Sequence, residues 1–360
     1  MMEIGFLSAH NPFDKRQFSG SVFYMRQALE AHSDVSLHVL GGHRLPNLSS
    51  AGRIIARLRS PHFVNPDEID DAGLDAIVAP VASQLIAKLS GRLNTPIIFI
   101  TDATPQFLRE FYNMKLPDSR DHQELIAMNG ASHVVYSSQY MMSRALLEFK
   151  GISPSKLSAF PFGLNLDNAP IDVPEKLPLS PVQLLFNGRN WERKGGDIAL
   201  ATLDTLAARG VSAHLTIIGC SPDVVQGRAD VTVHSYLDKT NPDDLATLNA
   251  CYEHAHIFIL PTRGDCTPMV VAEANAWGCP VLITRTGGVP SLMNEGHNGM
   301  MIDYEASSGN WADAVQALIS DPNRYKLLVR SSMKHCYENL TWSAWADNIV
   351  HLLATKIKDR

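Results

Sequence analysis

No stretch of this sequence approaches the roughly 18 consecutive apolar residues a membrane-crossing helix needs, so an integral helical membrane protein is not expected. Cysteine is scarce: Cys220, Cys251, Cys266, Cys279 and Cys336 are odd in number, confined to the second half and free of C-x-x-C or His-rich spacing. That pattern excludes a disulfide scaffold and a zinc module and reads as reduced thiols. A basic excess is missing too, since the formal net charge is -6, so nucleic acid is not an expected partner and any anion site must be local. The opening MMEIGFLSAHNPFDKR lacks a basic start followed by an apolar core. The expectation is a cytoplasmic protein, with peripheral attachment to a membrane left open. There is no internal repeat or low-complexity tract.

What is present is ordinary globular composition, with 45% hydrophobic and 19% charged residues over 360 positions, a length that suits two cores better than one. Short apolar runs rich in β-branched residues alternate with longer helical patterns, the signature of β-α-β units and buried parallel sheets. The first series of expected strands covers 2–7, 35–40, 76–79, 97–100 and 133–136. The second covers 183–187, 214–218, 231–234, 257–260 and 281–284. Between them, prolines 170, 174, 178 and 181 forbid helix and disfavour a central strand, so this stretch is expected to be the linker. The reading is an α/β protein of two Rossmann-like, doubly wound parallel-sheet domains, 1–165 and 166–341, with a helix over 342–360 packing back on the first. Such domains bind ligands at the carboxyl ends of their strands, and a cleft between two of them is the expected site.

In FNGRNWERKGGD at 186–197, an expected strand runs through Gly188 into a turn carrying Arg189, Arg193 and Lys194, then a Gly195-Gly196 pair before a helix. This is where Rossmann-like domains place a phosphate. The planar fork of Arg189 and the mobile charge of Lys194 suit a diphosphate held from two sides. In isolation such cations are surface charges; the glycines, which allow close backbone approach, favour the binding reading. A second stretch has Asp265 in a loop and Glu273 in the following helix, with Cys266, Thr267, Pro268, Met269 and Val270 between them and Pro268 suited to the first helical turn. A loop carboxylate can accept hydrogen bonds from sugar hydroxyls and a helix carboxylate from both ribose hydroxyls. An N-cap Asp and an ordinary helix Glu are the plainer reading of the same residues.

FNGRNWERKGGD, the Asp265-to-Glu273 spacing and TRTGGVPSLMNEGHNGMMI at 284–302 together resemble the C-terminal half of retaining glycosyltransferase family 4, glycosyl transferases group 1, of the GT-B class. The resemblance is strong over about 133–325, with Val134-Val-Tyr-Ser-Ser and Phe160-Pro-Phe-Gly-Leu-Asn, and weak before it. It implies that Arg189 and Lys194 bind the donor phosphates, that Asp265 contacts the donor sugar and that Glu273 contacts the ribose. Asp265-Cys-Thr-Pro stands where the family has Glu followed by an aromatic-glycine pair, which shortens the carboxylate and alters the sugar pocket. The resemblance further implies sugar transfer from a nucleoside-diphosphate sugar with retention of configuration, with no metal or other cofactor. The acceptor would be a sugar, a lipid-linked glycan or a small molecule.

In the first domain, Gly20 and Ser21 offer amides for the donor phosphate, a weak motif of one glycine. Asp102 falls where many relatives carry a His near the reacting carbon, although a turn role suits it equally. Asp14, Lys15 and Arg16 read as surface charges more readily than as acceptor ligands. The base is expected to meet backbone groups at Gly219 and around 234–237. A sugar-nucleotide epimerase or sugar phosphorylase on the same fold is the alternative, and a non-catalytic sugar-binding protein is less favoured.

Overall fold

The computed structural model describes residues 1–40, 69–70, 72–176 and 179–358. The chain divides into two units, one of Met1–Phe162 with Trp342–Arg360 and one of Gly163–Thr341. In the first unit, β1 (Met2–Phe6), β2 (Val35–Val39), β3 (Ala76–Pro80), β4 (Ile97–Thr101), β5 (His133–Tyr136) and β6 (Leu157–Ala159) form a parallel sheet in the order β2-β1-β3-β4-β5-β6. The run Ile97-Ile-Phe-Ile-Thr is buried along its whole length, as a central parallel strand covered on both faces must be. The helix Trp342–Lys358 belongs to this unit. Trp345, Ile349 and Leu353 recur every fourth residue along it and are all buried. Trp342 packs edge-on against Trp345 and also meets Phe162 at 5.6 Å.

In the second unit, β7 (Val182–Asn187), β8 (Ala213–Ile218), β9 (Val231–His234), β10 (Ile257–Leu260), β11 (Val281–Thr284) and β12 (Gly299–Ile302) form a parallel sheet in the order β12-β11-β10-β7-β8-β9. β10 and β7, both central, are built from residues buried almost throughout, and they place the loops after Leu260 and after Asn187 side by side at the carboxyl edge. The helix Gly196–Ala208 follows β7, and Pro242–His254 follows β9 with Asn241 Oδ1 accepting from the amides of Asp243 and Asp244.

Two expectations need correction. β6 and β12 carry no run of β-branched residues and escape the sequence pattern; β12 is recognisable only by Gly299, whose φ of 146° no side chain adopts easily and whose Cβ would lie 2.0 Å from the Val281 carbonyl oxygen. The proline-rich stretch is not a free linker. Leu164 and Leu166 join the second unit's core, Leu164 N donates to Leu340 O, and the buried Lys176 ammonium donates at 2.6 Å to the carbonyls of Tyr252 and Glu253. Those carbonyls end the helix Pro242–His254 and need donors, which fixes the segment to the domain. The first unit accordingly stops at Phe162, short of 165. Pro178 lies outside the described residues.

Candidate functional site

The turn after β7 is wound tightly by its own backbone. Lys194 N donates to Asn190 O, Arg193 N to Asn190 Oδ1, Gly195 N to Glu192 O and Gly196 N to Trp191 O. Gly195 has φ of 74°, and a Cβ there would sit 2.0 Å from the Pro261 carbonyl oxygen; one on Gly196 would sit 2.1 Å from the Trp191 ring. The glycine pair is therefore required by the protein's own packing. Its effect is to press the β7 turn against the exit of β10.

That contact builds an ion cluster. Arg263 N donates to Arg193 O at 2.7 Å, and Arg193 Nη1 donates to Gly264 O at 2.7 Å and Asp265 Oδ1 at 3.1 Å. Lys194 Nζ donates to Asp265 Oδ1 at 3.0 Å and Oδ2 at 2.8 Å, and Thr262 Oγ1 donates to Oδ2 at 2.8 Å. Asp265 is only 2% exposed. Burial pushes its carboxyl up, but the charges of Lys194 and Arg193, with hydrogen bonds from Lys194 and Thr262, outweigh it and hold the group below the usual carboxylate range. Behind it, Gly288 N donates to Asp265 O, and a Cβ on Gly287 would lie 2.3 Å from that same oxygen, so the 286–288 loop also shapes this turn. Gly188 lies against the Lys194 stem, and Gly219, at φ of 93°, lies against the Gly188 carbonyl.

The structure thus joins Lys194, Arg193, Asp265 and Gly188 in one cluster. Arg189 stands apart from their hydrogen bonds: it is exposed, and its guanidinium lies over the Tyr236 ring at 5.4 Å. Cys266, Thr267 and Pro268 are buried and lead through half-buried Met269 and Val270 into the helix Val270–Ala276. Pro268 precedes that helix rather than filling its first turn, and its carbonyl accepts from Val271 N.

Glu273, also 2% exposed, belongs to a second cluster. Lys239 Nζ donates to its Oε1 at 2.5 Å and Tyr252 OH to its Oε2 at 3.0 Å, while Asn187 Nδ2 donates to the Tyr252 oxygen at 2.9 Å. Burial and the adjacent Glu273 charge hold the Tyr252 phenol well above its ordinary range. Sequence reasoning missed Tyr236, Lys239, Tyr252 and Thr262. Only Tyr252, an aromatic in an amphipathic helix, left a signal, and that signal reads as core.

Gly20, Ser21 and Asp102 lie in the first unit, after the carboxyl ends of β1 and β4. Gly20 has φ of 90° and follows Phe18 and Ser19, themselves left-handed, before the helix Ser21–Ala31 begins. Asp102 is half-buried, and its charge adds to the burial that raises the nearby Glu124 carboxyl to about 7. Asp14 pairs with Arg16, and Lys15 lies over the Phe23 ring.

Two doubly wound parallel-sheet domains, the second with a Lys-Asp-Arg cluster around a buried carboxylate at the carboxyl edge of its sheet, define a protein of the GT-B type of fold. The family model for glycosyl transferases group 1 matches residues 181–321. Among curated relatives, D-inositol 3-phosphate glycosyltransferase of Corynebacterium aurimucosum is 26% identical over 49% of this chain and 44% of its own length. The enzyme of that name from Segniliparus rotundus is 23% identical over 73% of this chain and 61% of its own length. The chain thus spans about half the length of the curated relatives it matches. Among solved structures, sucrose-phosphate synthase from Thermosynechococcus elongatus aligns over 100% of both chains with a TM-score of 0.72 at 17% identity. Anabaena HepE in complex with UDP and glucose aligns over 99% of this chain and 100% of its own with a TM-score of 0.66 at 14% identity. No helix among the described residues is long and apolar enough to cross a membrane.

Proposed function

We propose that this chain transfers a sugar from a nucleoside-diphosphate sugar to an acceptor hydroxyl with retention of configuration, in the biosynthesis of a polysaccharide, glycolipid or glycoside. The observation that carries this reading is the Lys194-Asp265-Arg193 cluster, built on a buried carboxylate at the carboxyl edge of the second sheet. Two cations set against one carboxylate leave a formal positive charge in place, and Arg189 on the same turn adds another. A departing diphosphate needs that charge, and groups already fixed by hydrogen bonds supply it without reorganising. In this scheme the bond between the anomeric carbon and the phosphate oxygen breaks with its electron pair going to the phosphate. The acceptor oxygen bonds to the same face of the sugar, and its proton passes to the leaving phosphate oxygen. Asp265 acts chiefly by fixing Lys194 and Arg193, and Glu273 serves the ribose. The nucleotide sugar is a co-substrate, the setting is cytoplasmic, and no resident metal takes part.

The test is acceptor-dependent release of nucleoside diphosphate by the full chain from UDP-, GDP- and ADP-sugars in the presence of EDTA. A matching nucleotide sugar at a hundred times its dissociation constant should stabilise the protein by about 2.7 kcal/mol in a melting experiment. Arg189→Ala leaves no buried charge behind and should lower turnover by about 100- to 1000-fold. No stabilisation by any of the nucleotide sugars, or an unaltered Arg189→Ala rate, would overturn the reading.

A further inference from the structure

Residues 235–241 leave the carboxyl end of β9 and touch two predicted donor-binding residues that share no hydrogen bond with each other. Tyr236, 52% exposed, places its ring beneath the Arg189 guanidinium. Three positions later, the Lys239 ammonium donates to Glu273 Oε1 at 2.5 Å and to Asn165 O at 3.1 Å. The segment is itself fixed: Asp238 Oδ1 accepts from the amide and hydroxyl of Thr240, Asp238 N donates to Asp244 Oδ2, and Asn241 N donates to Asp238 O. Its side chains are therefore presented by a held turn rather than by a loose one.

Glu273 is buried, with a phenol on one oxygen and an ammonium on the other. Each carboxylate oxygen can accept more than one hydrogen bond, so both retain capacity for a further donor. The Lys239 nitrogen carries three N–H groups, of which Glu273 and Asn165 take two. What an ammonium in this place contributes is orientation: it fixes one carboxylate oxygen while Tyr252 fixes the other, so that the remaining acceptor directions are set before a ligand arrives.

We infer that Lys239 is a positioning residue for the donor's ribose, holding Glu273 so that it accepts from a vicinal pair of hydroxyls and thereby making the site discriminate ribose from 2′-deoxyribose. This rests on the reading of the chain as a nucleotide-sugar enzyme. A deoxy ligand leaves one prepared acceptor direction of a buried carboxylate unfilled. Hydrogen bonds to charged groups make that loss worth about 10- to 100-fold in affinity.

The experiment is calorimetric titration of the full chain with UDP, GDP and ADP, then with the 2′-deoxy counterpart of each that binds. The unaltered protein should bind the ribo form at least about 10-fold more tightly than the deoxy form. Lys239→Met should weaken the ribo form by about 10-fold, leave the deoxy form nearly unchanged and so collapse the ratio, with KM for the sugar donor raised and kcat close to the original. Lys239→Arg, which keeps charge and donors, should restore most of the ratio. If no nucleoside diphosphate binds the unaltered protein, the proposed function fails. If one binds but the unaltered protein does not discriminate, or Lys239→Met retains the full ratio, the inference about Lys239 fails while the function stands. The first of those two results needs no variant, so a misfolded Lys239→Met still leaves the inference open to refutation.

Discussion

Replacing Lys194 with Met, which keeps most of the stem and deletes the charge, tests the cluster most directly. Lys194 donates to both oxygens of a carboxylate that is 2% exposed, so the change strands a buried charge. Removing one partner of a buried ion pair costs about 3–5 kcal/mol in general. Arg193 and Thr262 still reach Asp265, which lowers the expectation to about 2–3 kcal/mol at neutral pH. For a domain of this size each kcal/mol moves the melting temperature by about 2–4 °C, so a fall of about 4–12 °C should appear in scanning calorimetry. Asp265→Asn should relieve it: in the double variant the losses should not add, leaving a coupling of about 1–3 kcal/mol.

The effect also has a pH signature. The folded carboxyl of Asp265 lies below its unfolded value of 3.8, so its contribution is present above that value and lost as pH falls through the folded one. Without Lys194, the penalty of burial acts on the ionised form alone. The gap between the two proteins should therefore be widest at pH 7 and shrink by about half or more toward pH 4. An equal gap at both pH values, or strictly additive losses, would mean that Lys194 acts by packing and not by neutralising Asp265.

Two further outcomes are expected. Gly195→Ala combines a left-handed backbone with a Cβ 2.0 Å from the Pro261 carbonyl oxygen, and should cost about 2 kcal/mol or more, read as a lowered denaturation midpoint; an unchanged midpoint would refute the packing role of this glycine. Glu124, buried with Oε1 lacking a hydrogen-bond partner among the described residues, has its carboxyl pushed by burial from 4.5 to about 7, so the folded state holds a proton that the unfolded chain has lost across that window. Stability should decline as pH rises from about 4.5 to 7, and Glu124→Gln should flatten this decline in melting curves.

Much of the fold is written locally. Runs such as Ile97-Ile-Phe-Ile and Ile257-Phe-Ile-Leu are apolar on both faces, and only a strand covered on both sides buries them, so central strands are legible residue by residue. Two of the four edge strands are not, because β6 has only three residues and β12 starts at a glycine, whereas the edge strands β2 and β9 carry valines that mark them. The proline-rich stretch misleads for a related reason. Proline reports that a segment is neither helix nor central strand, and says nothing about whether its neighbours find carbonyls to satisfy, as Lys176 does.

The site divides the same way. By itself the sequence pointed to these loops, because strand ends, glycines and cations are neighbours along the chain, and it singled out Arg189, Lys194, Asp265 and Glu273. Only the tertiary structure decided which of these charges belong together: Lys194 meets a carboxylate 71 positions away, and Glu273 takes an ammonium 34 positions before it. The pairing of β7 with β10 and the exit of β9 set those distances. Ion pairing falls off over a few ångströms, so partners chosen by sheet order leave no mark in the spacing of the residues themselves.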